Sequence, residues 1–155
     1  SVSGSPESRG PTQEADPSAA GAASGQEGVG RRVRTGSAFE SVAGYSRAAR
    51  CGDVIAVSGT AAMGANGEAL HPGDAYGQTK AALEIALAAV HELGAGRARV
   101  VRTRLFLAPE CDWREAVKAH RDVFGGVAPA NTTLFVERLI PPGCLVEVEL
   151  DAVGD

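Results

Sequence analysis

Residues 74–108 read DAYGQTKAALEIALAAVHELGAGRARVVRTRLFLA, and this stretch decides the fold, because a helical pattern passes directly into a strand pattern. Asp74 is a good N-cap, its carboxylate able to accept from the open N–H groups of a first helical turn. Gly94 supplies the left-handed residue that commonly closes a helix. Between them Leu83, Ala86, Leu87, Val90 and Leu93 form an apolar stripe at helical spacing, and the many alanines allow close approach to a sheet. In the strand over residues 100–108, Val101, Thr103, Leu105 and Leu107 are expected on one face. Val100, Arg102, Arg104 and Phe106 are expected on the other.

Working outward, a second helix is predicted from Trp113 to Phe124. Asp112 and Glu115 stand like a capping box, Trp113, Ala116, Val117, His120 and Phe124 share a face, and Gly125 and Gly126 stop the helix. Further strands are predicted over residues 32–35, 46–51, 54–58, 132–139 and 145–152. Two helices on one face of a mixed or antiparallel sheet make a stable two-layer α+β domain over residues 31–155. Its other face is left uncovered. With Val, Phe and Leu expected on both faces, that surface should be apolar and drive self-association.

Residues 1–30 are rich in Ser, Gly, Ala and Pro, with Val2 and Val29 the only larger aliphatics, so the stretch reads as a disordered leader unable to offset its ordering entropy. It holds Glu7, Glu14, Asp16 and Glu27 against Arg9 alone.

The 155 residues suit one domain, and a net charge of −4 disfavours broad nucleic-acid binding. Only seven residues are Phe, Trp or Tyr, which leaves little for base stacking. Cys51, Cys111 and Cys144 are odd in number and lack metal or disulfide spacing, which fits a reducing cytoplasm. No apolar run suggests a membrane span or a secretion signal. His71, His91 and His120 are not spaced as paired metal ligands.

Several short motifs occur in one order across residues 33–153: Gly44-Tyr45-Ser46, Val57-Ser58-Gly59-Thr60, Gly73-Asp74 with Gln78-Thr79, Val101-Arg102-Thr103, Pro129-Ala130-Asn131-Thr132-Thr133, Arg138-Leu139, and the closing Leu145-Val146-Glu147-Val148-Glu149. Together they resemble the Rid (YjgF-like) family of reactive intermediate deaminases. That resemblance implies a chorismate-mutase-like fold, a homotrimer and three clefts between subunits. It also implies cofactor-free hydrolysis of enamines and imines such as 2-aminoacrylate to a 2-oxo acid and ammonia. Glu147 then matches the carboxylate that activates water, and Tyr45 the pocket phenol, as the catalytic candidates. Gly59 and Thr60 match a turn lining the cleft, with Thr132 and Thr133 beside the anchor position.

At that anchor position active members carry an Arg whose planar fork holds a substrate carboxylate. Here it is Asn131, which has neither the charge nor the fork. This departure counts against standard 2-imino-acid deaminase activity. Arg104, on a strand otherwise rich in apolar side chains, is a candidate replacement anchor, or else the partner of Glu147 or Glu149 in a salt bridge. The leading expectation is thus a deaminase-like hydrolase with no metal or organic cofactor. The alternatives are a non-catalytic trimeric metabolite-binding or chaperone-like protein and, less favoured, an endoribonuclease.

Overall fold

A computed structural model of the chain describes residues 30–155; the expected leader lies outside the described residues, Gly30 excepted. The elements run β1 (Arg31–Val33), α1 (Ala38–Ala43), β2 (Ala48–Cys51), β3 (Val54–Thr60), α2 (Ala75–Glu92), β4 (Val100–Leu107), α3 (Trp113–Phe124), β5 (Ala130–Phe135) and β6 (Val146–Val153). The strands form one six-stranded sheet in the order β1-β2-β3-β6-β4-β5. Pairing is antiparallel except between β4 and β5, which are parallel and joined through α3, the crossover that parallel strands require. This is the α+β architecture expected from the sequence.

The long helix forms for the reasons its sequence gives. The Asp74 carboxylate accepts from the backbone N–H of Gly77 at 2.9 Å, and Gly94 takes φ +90° just past the C-cap Leu93. Its stripe is buried: Leu83, Ala86 and Val90 are fully enclosed against Leu105, Val148 and Leu150 of the sheet. Truncating Leu83 to Ala would cost about 2–5 kcal/mol, as buried leucines generally do. Gln78, also fully buried, ties this helix to the segment that leads into β6. Its Oε1 accepts from Leu145 N at 2.8 Å and its Nε2 donates to Gly143 O at 3.1 Å, which fixes where the strand bearing Glu147 begins.

Four features differ from the sequence reading. First, β4 carries a bulge: Val100 pairs with Ala152 and Arg102 with Asp151, so Val101 is extra. The alternation therefore changes phase, burying Val100 and leaving Val101 exposed, while Thr103, Leu105 and Leu107 face the core as expected. Second, α1 escaped the reading because its pattern is inverted. Phe39 and Val42 point outward, and the buried side chain is Glu40, which accepts from Thr35 N and the Thr35 hydroxyl. Third, β5 spans Ala130–Phe135 rather than 132–139, and Trp113 stands exposed while Ala116, Ala119, Val123 and Phe124 of α3 are buried. Fourth, the uncovered face is not broadly apolar. Arg102, Arg104, Glu147, Glu149 and Asp151 occupy it, with Phe106 opposite Glu147. The phase of β6, with Val146, Val148, Leu150 and Ala152 inward, forces the intervening acids outward.

Candidate functional site

The candidate residues fall into two groups on opposite faces of the sheet. The first gathers where β2, β3 and β6 end. After α1, Gly44 adopts φ +74° as a left-handed cap, with its N–H and that of Tyr45 both donating to Glu40 O, and this turn delivers Tyr45 to the mouth of β2. Two residues on, and so on the same side of an extended chain, Arg47 lies with its guanidinium carbon 5.8 Å from the Tyr45 ring centroid. Its Nη1 donates to Gly59 O at 2.6 Å and to Thr60 Oγ1 at 2.9 Å. The Thr60 side chain is itself buried and its hydroxyl donates to Ser58 O.

The β3–β6 register slips between Val57 and Thr60, and this irregularity brings Gly59 against Glu147. A Cβ on Gly59 would sit 3.2 Å from Glu147 Oε2, so the absent side chain is what leaves room for the carboxylate. Glu147 is half-buried. Burial raises its pKa above the ordinary carboxylate value, the Arg47 charge pulls it partway back, and the Glu149 charge pushes it up again. A carboxyl group poised this way is a more basic proton acceptor than an exposed one. Nearby, the buried Cys144 thiol is raised by burial and by the Glu147 charge, and its Sγ lies 3.2 Å from Met63 Sδ. Arg47 was missed in the sequence reading; the signal that could have found it is its two-residue offset from Tyr45.

The second group lies on the helix side, at the β4–β5 edge. Asn131 is level with Thr103 and Thr133 with Leu105, whereas Thr132 is level with Arg104 and shares the uncovered face. Thr133 Oγ1 donates to Asn131 Oδ1 at 2.9 Å, and Asn131 Nδ2 donates to Thr103 Oγ1 at 3.0 Å. Thr103 Oγ1 in turn lies 2.7 Å from His120 Nε2, and burial lowers the pKa of that imidazole. His120 therefore ends a polar chain that reaches in from the exposed Asn131 to the buried Thr103, and does not simply fill the core.

Arg104 Nη1 is 3.2 Å from Glu149 Oε2 and 3.3 Å from Asp151 Oδ2, and Arg102 Nε is 3.9 Å from Asp151. Arg104 is thus engaged by two carboxylates of its own chain, Glu149 being one of the partners expected. On the same face a cavity of about 420 Å³ is lined by Arg32, Arg34, Tyr45, Ser58, Glu149 and Asp151 among others; Gly59, Thr60 and Glu147 do not line it. Among the described residues no His, Cys, Asp or Glu side chains gather as a metal-binding group, and no helix is long and apolar enough to cross a membrane.

These elements define a small α+β domain, a six-stranded mixed sheet carrying α2 and α3 on one side. The chain belongs to the family described as endoribonuclease L-PSP, which it matches over residues 35–154. It is 41% identical over 123 residues to the Streptomyces coelicolor protein SCO2049, covering 79% of this chain and 90% of that one. It is 30% identical over 105 residues to the RutC family protein PYRAB12510 of Pyrococcus abyssi, covering 68% and 82%. Among solved structures it is similar to Rv2704 of Mycobacterium tuberculosis, a member of the YjgF/YER057c/UK114 family, with 40% identity and a TM-score of 0.70 over 79% of this chain and 97% of that one. The family resemblance read from the short motifs is borne out at this level.

Proposed function

We propose that this protein is a cofactor-free, deaminase-like hydrolase of small imines or enamines, working in clefts between the subunits of a homotrimer in the cytoplasm. Family descriptions allow either a small-molecule activity or an endoribonuclease-like one. The single observation that carries the choice is Glu147, a half-buried carboxylate of raised pKa set against Gly59 with the Arg47 cation nearby. In this reading Glu147 takes a proton from water as the oxygen attacks the C=N carbon. Glu147 returns that proton to the nitrogen, giving a carbinolamine, then takes the carbinolamine hydroxyl proton as the C=O bond forms and delivers it to nitrogen as the C–N bond breaks, so that ammonia leaves with a carbonyl product. Tyr45 supplies a phenol at the rim, and Arg47 holds the Gly59 carbonyl and the Thr60 hydroxyl in place.

Asn131, Thr132 and Thr133 complete the cleft from a neighbouring subunit, because within one chain Asn131 and Glu147 face away from each other. Cys111 and Cys144 are buried, and neither is in a disulfide, which accords with a reducing compartment. Nucleic acid is the weaker substrate class, since Arg102 and Arg104 on the uncovered face are paired with Glu149 and Asp151 rather than left as a basic groove.

The test is ammonia release from a panel of imines generated in place, comparing the protein with its Glu147→Gln variant. Release that depends on Glu147 supports hydrolysis. No release from any member, with ligand binding retained in both proteins, favours the alternative of a non-catalytic metabolite-binding protein, whose function an isosteric Gln would not disturb.

A further inference from the structure

A chain of side-chain hydrogen bonds runs inward from Thr133 through Asn131 and Thr103 to His120. Thr103 is fully buried, and its hydroxyl oxygen lies 3.0 Å from Asn131 Nδ2 and 2.7 Å from His120 Nε2, so its proton and a lone pair are both engaged. With Asn131 donating to Thr103, Thr103 donates to His120, whose pKa burial lowers. Reversing the amide reverses the chain, with His120 Nε2–H donating to Thr103, Thr103 to Asn131 Oδ1 and Asn131 Nδ2 to Thr133.

In either sense the amide is held at both ends, by Thr103 and by Thr133, and one amide N–H and one amide oxygen lone pair remain unused on its exposed side. The neighbouring arginines do not reach this surface: Arg102 and Arg104 lie on the other face, turned toward Asp151 and Glu149. A carboxylate placed here would meet one amide N–H and face the amide oxygen without a compensating cation. A primary amide or ureido group, which both accepts and donates, would pair with Asn131 in two bonds.

We propose that Asn131, positioned by Thr133, Thr103 and His120, selects ligands bearing a neutral carboxamide-type group where a carboxylate would otherwise be held. This rests on the reading above that the 131–133 segment lines the cleft. Thr103 and His120 act through Asn131 and are positioning residues.

The experiment is titration calorimetry of the assembled full-length protein with two probes, pyruvamide and pyruvate, which differ only in the group concerned. Wild type should bind pyruvamide tighter by about tenfold, Thr103→Val should erode the ratio to within about twofold, and Thr103→Ser should restore it. Asn131→Arg should invert the preference. Pyruvate binding as tightly as pyruvamide, neither probe binding, or a ratio unmoved by Thr103→Val would each overturn the proposal. Selectivity retained without any imine hydrolysis would instead defeat only the hydrolytic reading, and ammonia release without selectivity would defeat only this one.

Discussion

Asn131 and Glu147 are held on opposite faces of one sheet, on strands that flank β4 from its two sides. Asn131 is level with Thr103 on the helix side, and Glu147 is level with Phe106 on the uncovered side. A small ligand cannot touch both from one subunit. If both serve one reaction, two copies of the chain must supply them.

Mixed oligomers test this directly. Glu147→Gln and Asn131→Asp proteins, each impaired alone, should regain part of the wild-type ammonia release when unfolded together and reassembled, since some clefts then combine the two intact halves. The same preparation should sediment as three copies. A monomer in solution, or no recovery on mixing, would remove the inter-subunit site.

The raised pKa of Glu147 has a consequence for stability whose sign can be worked out. The native state holds this proton more tightly than the unfolded chain, so the contribution of the group is most favourable below the ordinary carboxylate range. It is lost as pH rises through the folded value. Glu147→Gln removes a charge that the site resists, and the variant should melt higher than wild type at neutral pH. The gap should close below about pH 4, where both forms are neutral. Thermal melts across that range check it, and a variant less stable at neutral pH would contradict the electrostatics described.

Gly59→Ala separates chemistry from folding. The backbone there is not left-handed, so an alanine is conformationally acceptable, but its Cβ would press on Glu147 Oε2 at 3.2 Å. Displacement of the carboxylate by a few tenths of an ångström should leave the melting temperature within a few degrees. It should lower turnover by about tenfold or more, as small misplacements of reacting groups do. Circular dichroism melts beside ammonia release read the two effects separately.

Arg104→Ala should leave affinity for small carboxylate ligands unchanged, because the guanidinium is already occupied by Glu149 and Asp151. Its cost is structural: on a partly exposed surface Glu149 loses its cation and Asp151 keeps Arg102 alone. The expected destabilisation is about 1 kcal/mol, shrinking as salt rises. Weakened carboxylate binding in calorimetry would return Arg104 to the candidate site.

How much of this was legible in the sequence can be traced residue by residue. The stripe of Leu83, Ala86 and Val90 and the alternation of β6 were readable because burial enforces a strict period. Val101 misled because an inserted residue changes the phase of a strand without changing its composition. Helix α1 was invisible because Phe39 and Val42 face outward while Glu40 is enclosed. Glu147 and Gly59 were each matched to the family's cleft but not to each other, since residues far apart in the chain meet through a register slip that no local pattern encodes. Arg47 was overlooked because an arginine at a strand mouth looks like ordinary solvated surface until its carbonyl and hydroxyl partners are known.

The parallel pairing of β5 against β4 makes the edge that carries Asn131 dependent on a detour through α3, and among the described residues no strand lies along its other flank. Backbone amides along 130–135 are consequently guarded from one side, unlike those of β6, which has neighbours on both. A strand docking along that flank would shield those amides, and deuterium uptake along residues 130–135 reports whether one does.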